Sequence, residues 1–66
     1  MPITEETKNK FNNKIVQVAV KSGKNIFGII TFDNYNCFEV QTGNHTLVYT
    51  TESIINIKRL IIDYDF

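Results

Sequence analysis

The residue types that perform most enzymatic chemistry are scarce in this chain. Among its 66 residues stand one cysteine, Cys37, and one histidine, His45. A tetrahedral zinc site needs four ligands, which one thiol and one imidazole do not supply. No Ser-His-Asp set, phosphate loop or carboxylate pair has a spacing that suggests catalysis. The sequence therefore predicts no enzyme activity, no cofactor and no metal. Cys37, at an apolar strand start, reads as a small core residue, and His45 as a solvated turn residue.

One segment is suited to binding instead. Tyr35 stands between Asn34 and Asn36. A tyrosine ring can stack an unpaired base while flanking amides read its edge, which is how single-stranded RNA is usually held. The run Asp33-Asn34-Tyr35-Asn36 is equally good turn chemistry, so the residues by themselves leave both readings open.

These groups must be positioned by short strands. Apolar and alternating runs at 15–21, 25–32, 37–41, 45–49 and 53–62 predict five strands, separated by SGK, DNYN, TGN and TTE turns. Val16, Val18 and Val20 alternate with Gln17, Ala19 and Lys21, the mark of a half-buried strand. Gly28 interrupts the second strand, where a glycine signals a bend or a close backbone approach. Ahead of the strands, residues 4–12 predict a short helix: Thr4 precedes Glu5 and Glu6, and lysines follow. Phe11, with Ile3, is its apolar anchor. A helix so short must pack on the strands to persist. The expected fold is all-β: one domain over 1–66, a small, strongly bent five-stranded barrel with a short N-terminal helix.

A domain of this size buries only about 60% of its unfolded surface. No intrachain disulfide is available, so self-association is the expected support. The last strand points the same way. Ile54, Ile55, Ile57, Leu60, Ile61 and Ile62 are too many apolar groups for one half-buried strand. Either both faces are buried within the chain or a neighbouring subunit covers the surplus, and pairing with a neighbour is the favoured expectation.

Seven basic and seven acidic side chains give no net charge, which argues against strong nonspecific polyanion binding. Lys8, Lys10, Lys14, Lys21 and Lys24 nevertheless lie in the first 24 residues, no acid occurs between Glu6 and Asp33, and residues 63–66, Asp-Tyr-Asp-Phe, are acidic. The polar start carries no secretory signal, and no apolar run approaches the ~18 residues of a membrane span. A soluble, cytoplasmic protein is expected.

A helix followed by five bent strands is the order of the Sm-like (LSm) proteins, and the residues resemble that family too. VQVAVKSGKNIFGIITFDNYNCFEV looks like the first Sm motif, with Gly23, Gly28 and Asp33 as its marks. Phe32-Asp33-Asn34-Tyr35 is similar to a segment of the bacterial Hfq branch. HTLVYTTESIINI looks like the second motif, but Thr50 and Thr51 stand where Hfq commonly has Lys-His, and the Arg-Gly pair of other Sm proteins is missing. The resemblance covers roughly residues 4–60.

The resemblance implies a homo-oligomeric ring of five to seven subunits, in which strand four of one joins strand five of the next. Leu47, Tyr49, Ile54, Ile55 and Ile57 would then form the subunit contact. It implies single-stranded, U- or A-rich RNA held near the pore by Asn34, Tyr35, Asn36, Thr50 and Thr51. Lys24 and Asn25 would lie on a second RNA surface at the opposite end. It assigns Asp33 a structural role in the loop. The expected function is RNA chaperoning or post-transcriptional regulation. The alternative is a ring-shaped scaffold for protein partners that binds no specific RNA. A third reading, an isolated SH3-like barrel, predicts a monomer.

Overall fold

A computed structural model describes residues 3–33 and 35–60. The elements run α1 (Glu5–Phe11), β1 (Ile15–Val20), β2 (Asn25–Phe32), β3 (Cys37–Thr42), β4 (His45–Thr50), a 3-10 turn (Thr51–Ser53) and β5 (Ile54–Arg59). The last strand is shorter than its apolar run: Ser53 belongs to the turn before it, and residues 61 and 62 lie outside the described residues.

Helix α1 begins at Thr4, whose hydroxyl accepts from the Thr7 amide at 3.2 Å. Glu5 and Glu6 occupy the first turn and Lys8 and Lys10 the last, matching the helix dipole. Asn13 ends the segment with a positive φ of 63°, a conformation asparagine tolerates better than most residues. Three bonds then fasten the helix exit to β2. Asn13 N–H donates to the Ile30 carbonyl at 2.7 Å, Ile30 N–H donates to Lys14 O at 3.1 Å, and Phe32 N–H donates to Asn12 Oδ1 at 3.1 Å. Phe11 is buried in the core, so an otherwise marginal helix is held by packing and by these bonds.

All strand pairs are antiparallel, in the order β4-β3-β2-β1-β5. Strand β2 is shared. Its first part, Asn25–Ile29, pairs with β1, and Ile29–Phe32 pairs with β3. The changeover falls beside Gly28, which has a φ of 155°. A Cβ there would overlap the Gln41 carbonyl oxygen and come within 2.9 Å of Val40 Cγ1. Only glycine lets β3 cross this close.

The core draws on β1, β2, β3 and β5: Val16, Val18, Val20, Ile26, Ile30, Phe38, Val40, Ile54 and Ile57, with Phe11 from the helix, while half-buried Leu47 and Tyr49 of β4 pack against it. Phe38 stacks on Tyr49 at 5.9 Å and meets Phe32 at a 48° tilt. Among the described residues no buried side-chain nitrogen or oxygen lacks a hydrogen-bond partner, as a stable interior requires. No described helix is long and apolar enough to cross a membrane.

Two of the expected subunit-contact residues are used otherwise. Ile54 is 0% exposed and Ile57 is buried, both against their own chain's core. The reason is a register shift between Ala19 and Val20, which rotates β5 so that residues three apart both face inward. Of the β5 contact residues, Ile55, 57% exposed, is the one free to meet a neighbour. Leu47 and Tyr49 are half-buried and also pack on the core.

Candidate functional site

The β2–β3 loop is held from within and from beside it. Asp33 Oδ1 accepts from the amides of Tyr35 at 2.8 Å and Cys37 at 3.0 Å. The Asp33 amide donates in turn to the Cys37 carbonyl at 3.1 Å. This is the side-chain-to-backbone bonding that makes aspartate a turn former. Asn36 follows with a φ of 62°, and its carbonyl accepts both the amide of Thr51 at 2.8 Å and its hydroxyl at 3.1 Å. The loop is thereby strapped to the turn between β4 and β5. Ser53 tightens that turn by donating its hydroxyl to the Thr50 carbonyl at 2.6 Å.

The product is an aromatic ring on a braced mount. Tyr35 is 84% exposed, while the backbone on both sides of it is bonded into place. A flat, outward ring whose mount is already ordered loses little entropy on stacking a ligand. Asn36, next in sequence, and Thr50, which opposes Cys37, are exposed. Asn34 lies outside the described residues.

Thr51 departs from expectation. It is buried, and its hydroxyl is spent on the Asn36 carbonyl. It braces the site and does not face a ligand. Asp33 has the structural role expected of it, through its two accepted amides.

Lys24 and Asn25 belong to a separate place, at the start of β2, whereas the Tyr35 loop follows its end. They border an open groove of about 360 Å³ with Phe27, Thr42, Leu47 and Tyr49. Sequence reasoning assigned Leu47 and Tyr49 to the subunit contact and missed this groove. It exists because β2 leaves β3 beyond Gly28, uncovering the half-buried side chains of β4. A smaller, polar cleft of about 150 Å³ lies between α1 and the Tyr35 loop, lined by Lys8, Asn9, Asn12 and Asp33 among others. Among the described residues no group of three or more His, Cys, Asp or Glu side chains could hold a metal ion.

No family model and no curated protein matches the sequence. Among solved structures, the chain is similar to one in a structure described as the structural basis of Dcp1:Dcp2 mRNA decapping complex activation by Edc3 and Scd6. The TM-score is 0.70 at 23% identity, over 96% of this chain and 66% of that one. At that identity the likeness is one of fold, a small β-rich domain. It does not single out the Hfq branch that residues 32–35 resemble.

The free strand edges complete the inventory. Strands β4 and β5 end the sheet on its two sides, and among the described residues no further strand pairs with their outer edges. Val48 on β4 and Ile55 on β5 add exposed apolar side chains there. Unpaired edges of this kind are templates for another strand.

Proposed function

We propose that this chain is an Sm-like module that assembles head to tail through its β4 and β5 edges and binds single-stranded RNA by stacking a base on Tyr35. The observation that carries the reading is the braced, outward Tyr35 ring between Asp33 and the Asn36–Thr51 strap. Exposed Thr50 and the Asn36 amide add uncharged hydrogen-bonding groups, and Lys24 and Asn25 offer a second contact at the far end of β2. Two complementary open edges support closure into a ring of five to seven subunits, because head-to-tail contacts that close generate cyclic symmetry. The RNA class is U- or A-rich, and the role is that of a cytoplasmic chaperone or post-transcriptional regulator.

Fluorescence anisotropy with short U-rich and A-rich RNAs tests this, across a salt series and alongside native mass spectrometry. Binding weaker than millimolar at low salt sinks the RNA reading. Binding through lysines weakens steeply as salt rises.

A second reading is a ring-shaped scaffold for protein partners. The groove of Phe27, Leu47 and Tyr49 favours it, since partly apolar clefts receive side chains as readily as bases. The structural neighbour comes from a protein complex named for mRNA decapping, which suits either reading. A salt-insensitive protein complex, with no RNA bound, would select the scaffold.

A further inference from the structure

Leu47 and Tyr49 stand two residues apart on β4, so their side chains point to the same face of the sheet. That face is the inner one, since they oppose Val40 and Phe38, both 0% exposed. Each is only half-buried, and together they wall the groove of about 360 Å³. The opposite wall comes from the start of β2, with Lys24, Ile26 and Phe27. Strand β3 runs towards Thr42 as β2 runs back towards Asn25. Lys24 and Thr42 therefore share one end of the groove, and Tyr49 stands at the other.

The outer edge of β4 adjoins this groove. Among the described residues no strand pairs with it. Alternate residues of an antiparallel edge strand turn their amides and carbonyls away from the partner they already have. A further strand laid on that edge sits about 4.8 Å from β4. Its residues opposite Leu47 and Tyr49 share their face, so those side chains enter the groove. Ladder and groove thus select one kind of ligand, an extended chain with apolar side chains at alternate positions.

Charge fixes the next position. Lys24 is exposed, and among the described residues no acid pairs with it. His45, opposite Thr42, adds an exposed imidazole at the same end. Glu39, the acid of β3, opposes Val48 and lies on the other face. A carboxylate is favoured at this end.

We propose that the β4 edge and its groove form a strand-addition site for an extended peptide of the pattern apolar-x-apolar-x-acid, running antiparallel to β4. The first apolar side chain lies beside Tyr49, the second beside Leu47, and the acid reaches Lys24. Main-chain bonds supply affinity in such sites, and pockets for alternate side chains supply specificity. The site rests on the protein-partner reading and gives that partner its chemistry. A ring would close through the same edge, so a bound peptide caps its subunit against a neighbour's β5.

Fluorescence anisotropy of the full chain with a labelled peptide, Thr-Ser-Leu-Thr-Val-Thr-Asp-Ser, tests this. Saturable binding is expected, and binding weaker than millimolar overturns the proposal. Two further peptides carry N-methyl groups on one alternate set of amides or on the other. Only one set faces β4, so one form weakens by about tenfold or more and the other does not. Equal affinities of the two forms overturn strand addition. Lys24→Glu, an exposed change, weakens this peptide and favours the form with Lys in place of Asp. Indifference to that swap overturns the assigned polarity. Native mass spectrometry should find one peptide on each single subunit, and peptide on closed rings would place it elsewhere and overturn the proposal. A salt-insensitive protein complex that forms while the peptide does not bind refutes the strand-addition site alone. Absence of both refutes the protein-partner reading with it. None of these readouts uses RNA, so the Tyr35 reading stands or falls separately.

Discussion

The carbonyl oxygen of Asn36 accepts two hydrogen bonds from Thr51, one from its amide at 2.8 Å and one from its hydroxyl at 3.1 Å. This ties the loop that carries Tyr35 to the turn that begins β5. Thr51→Val keeps the volume and the amide bond but removes the hydroxyl. A net loss of about 1 kcal/mol is expected, the usual worth of one hydrogen bond. Urea denaturation reads it as a lower midpoint with an unchanged slope.

Asp33→Ala removes the acceptor for two amides at once. The expected result is faster hydrogen exchange at Tyr35 and Cys37, with the strands still protected. Exchange rates equal to wild type would show that the loop does not depend on the carboxylate.

Tyr35→Ala separates binding from folding. The ring is almost wholly exposed, so thermal stability should hardly change. If a base stacks on it, affinity for short single-stranded RNA falls by about 1–3 kcal/mol. An unchanged RNA affinity would remove Tyr35 from the site.

Gly28→Ala is expected to be among the most damaging single changes in the chain. The new methyl group would meet the backbone of Gln41, which a rotamer change cannot relieve. Overpacking alone typically costs about 1–3 kcal/mol, and the positive φ adds strain. Gly23→Ala is the control. Its φ of 94° is also unfavourable, but nothing lies near the added Cβ, so it should cost less. Equal midpoints for the two variants would contradict the close crossing of β3 over β2.

Ile54 and Ile55 are adjacent in sequence and opposite in role. Ile54→Ala empties a fully buried site and should lower stability by about 2–5 kcal/mol. Ile55→Lys should leave the subunit folded and, if β5 pairs with a neighbour's β4, shift native mass spectra towards monomer. A stable assembly that tolerates Ile55→Lys would place the contact elsewhere.

Much of the architecture is legible in the residues. Val16, Val18 and Val20 alternate with Gln17, Ala19 and Lys21 because β1 buries one face only, and a period of two records that directly. Gly28 announced a bend before any partner strand was known. Thr4 with Glu5 and Glu6 marked the helix start, since capping and the dipole act within a single turn. The Sm-like resemblance implied a structural role for Asp33, and its bonds to the amides two and four residues along the chain fit that role.

What the tertiary structure decided involves distant partners. The isoleucines of β5 look alike in sequence, and only the register shift opposite Ala19 and Val20 turns Ile54 and Ile57 inward while leaving Ile55 out. Thr51 looks like a surface hydroxyl until the Asn36 carbonyl, fifteen residues away, accepts its hydrogen bond. Leu47 and Tyr49 line a groove with Lys24 because β2 parts from β3 beyond Gly28. Local periodicity reports which face of a strand is apolar. Which neighbour meets that face depends on pairing between strands far apart in the chain, and no window of sequence contains both partners.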